Sequence, residues 1–385
     1  MDSIGIIAEY NPFHNGHLYH LSKIKEMHPN NCIVLVMSSS WSQRGEPSII
    51  DKWKKTEIAL QAGIDLIIEL PFVFSTESAD IFAYGAITLL EKLKVKDLVF
   101  GSETNDINKF NTIVDTQLNN EEFDPLVKIY MKMGENYPTA LSKSLLDLTG
   151  NTMTLPNDLL GISYVKAIKS NNYKIIPHCI KRTNKYHSKD LNNSLSSATA
   201  IRKALEENKD VKEQIPNFTN EHLKNNLHFQ KDYFKFLKYK ITLEENLNIY
   251  QTVDEGLGEK IKKEIVNATS YEELIEKVKS KRYTYNKINR MLTHILCGFT
   301  KEDKKQTKEL EYIRVLGFSE KGRNYLNKVK KEVDIPIISN FSKSKSKMLD
   351  IEFKATCVYA SILSEQDKKE LIEKEYKHHP MKGVK

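Results

Sequence analysis

The stretch EYNPFHNGHLYHL, residues 9–21, sets two imidazoles, His14 and His17, three positions apart around Asn15 and Gly16. On a helix that spacing puts both rings on one face. The apolar run SIGIIA (3–8) before it reads as a strand, Asn11-Pro12 as a turn, and Gly16 allows a close backbone approach at a helix start. A helix N-terminus offers free N–H groups and a positive dipole end, so it favours phosphate. Imidazoles placed there can donate hydrogen bonds to a phosphate whose charge grows in a transition state. No third ligand has metal-site spacing, and His20 is shifted round the helix, so no metal site is expected.

A second stretch, SATAIR (197–202), opens another helix with the hydroxyls of Ser197 and Thr199 followed by Arg202. Either hydroxyl could be an ordinary N-cap. Together with free N–H groups and an arginine they also make a cradle for β- and γ-phosphates. SSSWSQRGEPS (38–48) carries Arg44 and reads as a solvated loop or as a mobile lid whose arginine holds a ligand. KVKSKRYTYNKINR (277–290) holds Lys277, Lys279, Lys281, Arg282, Lys287 and Arg290 with Tyr283 and Tyr285 between them and no acidic residue. Such a run can neutralise phosphates and stack on unpaired bases, or be a lysine-rich solvated face.

The elements that must position these groups follow from periodicity. Short apolar runs at 3–8, 32–38, 65–70, 97–102 and 173–180 read as buried parallel strands. Helical stretches are expected at 17–28, 51–62, 78–94, 106–134 and 156–170. This βαβα order predicts an α/β fold with a Rossmann-like, doubly wound parallel sheet, whose ligands bind at the carboxyl ends of the strands. From about residue 196 the pattern becomes helical, with segments at 258–282, 284–299, 303–316 and 357–376, and only IPII (335–338) strand-like. The expected division is a catalytic domain over 1–205 and a mostly α-helical C-terminal domain over 206–385.

The chain has 385 residues with 40% apolar content, enough for more than one core. No run has the ~18 apolar residues of a membrane helix, and the first residues carry no export pattern. Cys32, Cys179, Cys297 and Cys357 are too scattered for a metal motif and fit a reduced, cytoplasmic protein. Residues 1–205 have 22 basic and 22 acidic side chains, so the whole excess of +7 falls in the second half. A neutral half joined to a basic half suggests a chemical domain and a domain that meets a polyanion.

FHNGH resembles the HxGH signature of the nucleotidylyltransferase superfamily, and SATAIR is similar to its second signature, ISSTxIR, with Ala198 in place of the second serine. EYNPFHNGHLYHL, QRGEP (43–47), DLIIELPF (65–72), FGSE (100–103), PNDLLGISYVKAI (156–168), SATAIR and YIRVLGF (312–318) together resemble the bacterial tRNA(Met) cytidine acetate ligase family. The resemblance implies a ligase that forms acetyl-adenylate from acetate and ATP, with Mg2+ carried on the ATP. It then acetylates the exocyclic amine of the wobble cytidine of elongator tRNA(Met). It further implies an ATP site over Ile7, Ala8, Glu9, Tyr10, Asn11, Pro12, Phe13, His14, Asn15, Gly16, His17, Leu18, Tyr19 and His20, joined by Gly101, Asn157, Arg182, Ser197 and Thr199. His14, His17 and Arg202 are the expected catalytic residues, although Asn157 also reads as a plain N-cap and Gly101 as a simple turn. Lys281, Arg282, Tyr283, Tyr285, Lys287 and Arg290 are the expected RNA contacts. The rival readings are a small-molecule adenylyltransferase of cofactor synthesis and a catalytically inactive, nucleotide-regulated RNA-binding protein.

Overall fold

A computed structural model describes residues 2–152, 154–182, 196–254, 256–341 and 344–383. The five expected strands form: β1 (Ser3–Ala8), β2 (Cys32–Ser38), β3 (Leu66–Leu70), β4 (Asp97–Ser102) and β5 (Ile176–Lys181). They lie parallel in the order β5-β4-β1-β2-β3. The helices between them cover both faces, which is why β2 and β3 are buried along their whole length. β5 lies at the edge, where Pro177 costs no ladder bond; its two end residues are exposed and the four between them half-buried.

The crossover helices Asn15–Met27, Lys52–Gln61, Ala79–Lys92 and Pro156–Ser170 match the apolar periodicity. The single helix expected over 106–134 is two, Ile107–Asn119 and Phe123–Lys132, because Asn120 adopts an extended conformation and ends the first. A further helix, Tyr137–Thr149, starts at the Asn136 cap with Pro138 in its first turn and ends at left-handed Gly150. Its mixed polar surface gave no sequence signal.

The second half is mostly helical, as expected, but differs in its element bounds and in one strand. The stretch 258–282 divides into Leu257–Ile265 and Tyr271–Val278, with Ser270 capping the second. The stretch 357–376 divides into Lys347–Tyr359 and Glu365–Lys377, the latter capped by Ser364. The stretch 303–316 is not one helix: Lys301–Gln306 is helical, and Ile313–Phe318 is strand β6. β6 runs antiparallel to β3 and closes the open side of the parallel sheet. It pairs in turn with β7 (Ile337–Ile338) and β8 (Met381–Lys382), giving eight strands in a mostly parallel sheet among the described residues. The helical period failed here because Ile313, Val315 and Leu316 are all buried, a pattern that a buried helix and a doubly covered strand share. Buried apolar side chains from both halves form one cluster.

A charged knot ties the halves together. Lys52 Nζ lies 2.5 Å from Glu69, 2.8 Å from Glu375 and 3.3 Å from Glu352. Arg314 lies 3.2 Å from Glu69 and 2.5 Å from Glu375, and none of the five side chains is more than 3% exposed. They come from the Lys52–Gln61 helix, β3, β6 and the two last helices. Two cations face three carboxylates, and neutral donors serve the third: the Phe72 N–H (2.7 Å) and the Ser39 hydroxyl (2.5 Å) both reach Glu352. Burial, with Glu69 close by, pushes the Glu352 carboxyl above the usual carboxylate range. Lys52→Met removes the cation shared by all three acids. It should destabilise the protein by about 3–5 kcal/mol, read as a lower urea midpoint at pH 7.5. An unchanged midpoint would show that the knot contributes nothing to stability.

Candidate active site

The first motif is shaped by its own backbone. After β1, Tyr10 takes a left-handed φ of +46° and the Asn11-Pro12 peptide is cis. The Asn11 side chain accepts from the Ile49 N–H at 2.7 Å and holds the turn to the following loop. His14 is the N-cap of the Asn15–Met27 helix: its Nδ1 accepts from the Gly16 N–H at 3.0 Å, while His17 Nδ1 accepts from the His14 N–H at 3.2 Å. The rings stack at 3.8 Å. Because both Nδ1 atoms accept, each neutral ring carries its proton on Nε2, which remains as a donor. Burial, aided by Arg182 and Arg202, pushes His14 down to about 3. Burial, then His14 and Arg182, holds His17 well below the usual histidine range. His20 is pushed down to about 4 by burial and Arg182, and its buried Nε2 has no hydrogen-bond partner among the described residues.

These rings line a cavity of about 1080 Å³ over the carboxyl ends of the central strands. Ile7, Ala8, Glu9, Tyr10, Asn11, His14, Gly16, His17, Tyr19 and His20 reach it. Pro12, Phe13, Asn15 and Leu18 do not. Phe13 is fully buried against Phe218, the Asn15 amide bonds to the Glu213 carbonyl, and Leu18 turns outward at 40% exposure.

On the β4–β5 side the cavity is lined by Gly101, Asn157 and Arg182. Gly101 is the penultimate residue of β4 rather than a turn, and a Cβ there would sit 3.2 Å from Arg182 Cγ. Asn157 is not an N-cap: the helix begins at Pro156, with Leu155 at the cap position. The Asn157 amide instead donates to Glu103 at 2.5 Å and its oxygen accepts from Arg182 at 3.3 Å. Asp158, also buried, accepts from Ser102 Oγ and from the Glu103 N–H, which locks FGSE to PND. Arg182 keeps a buried Nε without a hydrogen-bond partner among the described residues, and burial lowers its pKa while nearby Glu103 opposes that shift.

On the β2–β3 side the wall contains Gln43, Arg44, Glu77, Gln251 and Arg290. The 38–48 segment is neither solvated nor a loose lid. Trp41, Ser42, Gly45, Pro47 and Ser48 are buried, and the helix Tyr285–Cys297 grips the segment: Asn289 donates to the Arg44 carbonyl at 2.7 Å and Thr293 to the Gly45 carbonyl at 2.6 Å. Lys55, only 1% exposed, donates to the carbonyls of Glu9, Ser38 and Ser39 and fixes where β1 and β2 end. Arg44 itself lines the cavity.

The second motif divides its tasks differently from the expectation. Ser197 caps the Ala198–Glu206 helix through the Ala200 N–H, Thr199 is exposed, and neither lines the cavity. Ala198 and Arg202 do. Arg202 donates to the Asn11 carbonyl at 2.9 Å and to Glu46 at 2.6 Å, so the acid of QRGEP holds the arginine of SATAIR.

The basic run reaches the same cavity, which its distance in sequence had not suggested. Arg282, Lys287 and Arg290 line it. Lys281 lies outside, exposed beside a shallow groove shared with Lys132 and Glu135. Tyr283 cannot offer a ring face: it is 7% exposed, and Lys287 Nζ sits 4.7 Å from its centroid. Tyr285 is 37% exposed and is not part of the cavity wall. Gln43, Glu77, Gln251 and Thr252 were missed as cavity residues. QRGEP had flagged the first, but nothing around 251 has motif character. The carboxylate trio Glu69, Glu352 and Glu375 lies within metal-ligand reach of one another, but it belongs to the charged knot and already encloses Lys52.

The neutral histidines have a sign-definite consequence. Their folded pKa values lie below the unfolded value of ~6.5, so the unfolded chain binds more protons in acid. Their contribution to stability should be constant above about pH 7 and fall steadily as pH drops from there towards 4. Urea midpoints across that range check it, and His14→Gln should flatten the slope.

The HIGH Nucleotidyl Transferase family model matches residues 1–375. A tRNA(Met) cytidine acetate ligase of Geobacillus sp. strain WCH70 is 39% identical over 99% of this chain and 100% of its own. One from Caldanaerobacter subterraneus subsp. tengcongensis is 41% identical over 91% of both chains. The crystal structure of apo Thermotoga maritima TmcAL aligns at a TM-score of 0.92 with 30% identity over 99% of both chains. The same protein bound with alpha-thio ATP aligns at 0.89 with 31% identity, again over 99% of both. The chain therefore belongs to the HIGH nucleotidyl transferases and, among them, to the tRNA(Met) cytidine acetate ligase family.

Proposed function

We propose that this protein activates acetate with ATP as acetyl-adenylate and transfers the acetyl group to the wobble cytidine of elongator tRNA(Met), giving N4-acetylcytidine, in the cytoplasm. The observation that carries this reading is one cavity that joins the neutral imidazole pair and Arg182 to a basic wall of Arg282 and Lys287. A small-molecule adenylyltransferase needs the first group and not the second.

In the first step an acetate oxygen attacks the α-phosphorus and the bond to pyrophosphate breaks, its electrons going to the leaving group. The Nε2–H donors of His14 and His17 suit the growing negative charge, and neutral rings do this without giving up a proton. Adenosine fits the Gly101 side, where the missing Cβ leaves room, and Arg182 supplies a cation whose Nε is unbonded among the described residues. Arg202, aimed by Glu46, serves the phosphates. Mg2+ would arrive on those phosphates, which provide most of its ligands, and Glu9 is the nearest carboxylate of the first motif that lines the cavity. In the second step the cytidine amine attacks the acetyl carbonyl, a C–N bond forms, AMP leaves and the amine loses a proton. No covalent enzyme intermediate is needed. Anticodon bases are single-stranded and can be splayed into such a cavity.

Labelled acetate, ATP and total tRNA test the reading: label in tRNA with pyrophosphate release supports it. Pyrophosphate formed only with a mononucleotide supports the adenylyltransferase, and absence of turnover leaves an RNA-binding protein. His17→Ala should slow adenylate formation roughly 100- to 1000-fold with tRNA affinity unchanged; near wild-type acetylation would sink the assignment. Replacing Arg282 and Lys287 together with Ala should lower the salt slope of tRNA binding by roughly two units. Tyr283→Ala should lower the melting temperature, since a buried ring is lost, rather than remove a base stack.

A further inference from the structure

We infer that Arg290 is the anchor for the acetate carboxylate, in the arm of the cavity walled by Gln43, Glu77 and Gln251, on the opposite side of β1 from Gly101 and Arg182. The inference rests on the ligase reading and assigns its second substrate a place.

The sheet order supplies the first argument. β4 and β5 lie on one side of β1, and β2 and β3 on the other. Gly101 and Arg182 hang from the first pair, whereas Gln43 and Glu77 follow β2 and β3. A carboxylate that attacks the α-phosphorus opposite the pyrophosphate has to approach from outside the nucleotide's own subsite, and the β2–β3 wall, which carries an arginine, offers such an approach.

The donor inventory supplies the second. Acetate offers one methyl group, so charge must carry its recognition. Arg290 lines this arm, and its side chain makes one hydrogen bond among the described residues, a long 3.4 Å contact to the Gln43 carbonyl. A guanidinium has five N–H donors in a planar fork that matches a carboxylate. The neighbouring acid, Glu77, acts on Arg290 only at a distance, raising its pKa without direct contact: its carboxylate takes Gln251 Nε2 at 2.9 Å and lies 3.8 Å from Lys304. Burial lowers the Arg290 pKa, the mark of a cation short of water. Arg290 is half-buried, so its guanidinium stays open to a small anion that enters the cavity.

Rigidity is the third argument. Gly45 has a φ of +79°, and a Cβ there would lie 2.7 Å from the Arg290 nitrogen. Only glycine lets the QRGEP segment lie against this turn of helix, so the motif itself fixes where Arg290 stands. Held in place, the fork can bind both carboxylate oxygens before adenylation. Afterwards it faces the remaining carbonyl oxygen, where charge develops when the amine attacks.

The test is acetate-dependent exchange of labelled pyrophosphate into ATP, without tRNA. Arg290→Met should raise the acetate KM roughly 100-fold, the scale of removing one partner of a desolvated charge pair, with ATP Kd and tRNA Kd within about twofold of wild type. Arg290→Lys, which keeps the charge but not the fork, should fall between. It is the variant to read if Arg290→Met loses its cooperative melting transition. An unchanged acetate KM overturns the inference. So does a matching rise in ATP Kd, which would make Arg290 a phosphate ligand, or a loss of tRNA affinity alone. Wild-type exchange that ignores acetate would instead overturn the ligase reading beneath it.

Discussion

The five-membered charged knot around Lys52 is the constraint on which the rest of the molecule depends. Isolated buried charges are unstable in a low-dielectric interior, so each member requires the others. Glu69 comes from the parallel sheet, whereas Arg314, Glu352 and Glu375 come from the last fifth of the chain. The knot can be satisfied only when β6 lies against β3 and the two final helices pack over that edge. It also reaches towards the site. Glu352 takes the Ser39 hydroxyl directly after β2, and Ser39's own carbonyl is held by Lys55. The start of the QRGEP segment is thus fixed from the core outwards.

The site uses the same economy of donors. A histidine is an unusual helix cap, since serine, threonine, aspartate and asparagine dominate there. Here the cap bonds occupy Nδ1 of both rings and so choose their tautomer. Local helix chemistry and the catalytic chemistry proposed for these rings would be one arrangement. The depressed histidine pKa values follow from burial beside Arg182 and Arg202, and they preserve donors that do not lose their protons at neutral pH.

The charge asymmetry between chain halves is real, but it does not map onto separate sites. The helix Tyr285–Cys297 belongs to the basic half, yet its first turns form a wall of the cavity that holds the two histidines and grip the 38–48 segment. A chemistry that must pass an activated acyl group to RNA needs both surfaces around one volume. Lys287 meanwhile spends one side of its charge on the ring of Tyr283, so the interleaved tyrosine there is packing rather than a base platform.

The sequence by itself determined the five parallel strands, most crossover helices and the pairing of HxGH with SATAIR, because buried strands and capped helix starts are written in local residue order. It also marked His14, His17, Gly101, Asn157, Arg182 and Arg202, all of which meet in one cavity. Only the tertiary structure decided the rest. β6 was misread because its partner, β3, lies about 250 residues earlier, and a run buried at five successive positions has no period to betray its geometry. Ser197 and Thr199 looked like ligand hydroxyls, but one turn of helix separates a cap from a cavity wall, and Ala198 faces inward instead. The 38–48 segment looked solvated because its residues are small and polar. Its burial depends on donors from Asn289 and Thr293, which are adjacent to it in space alone.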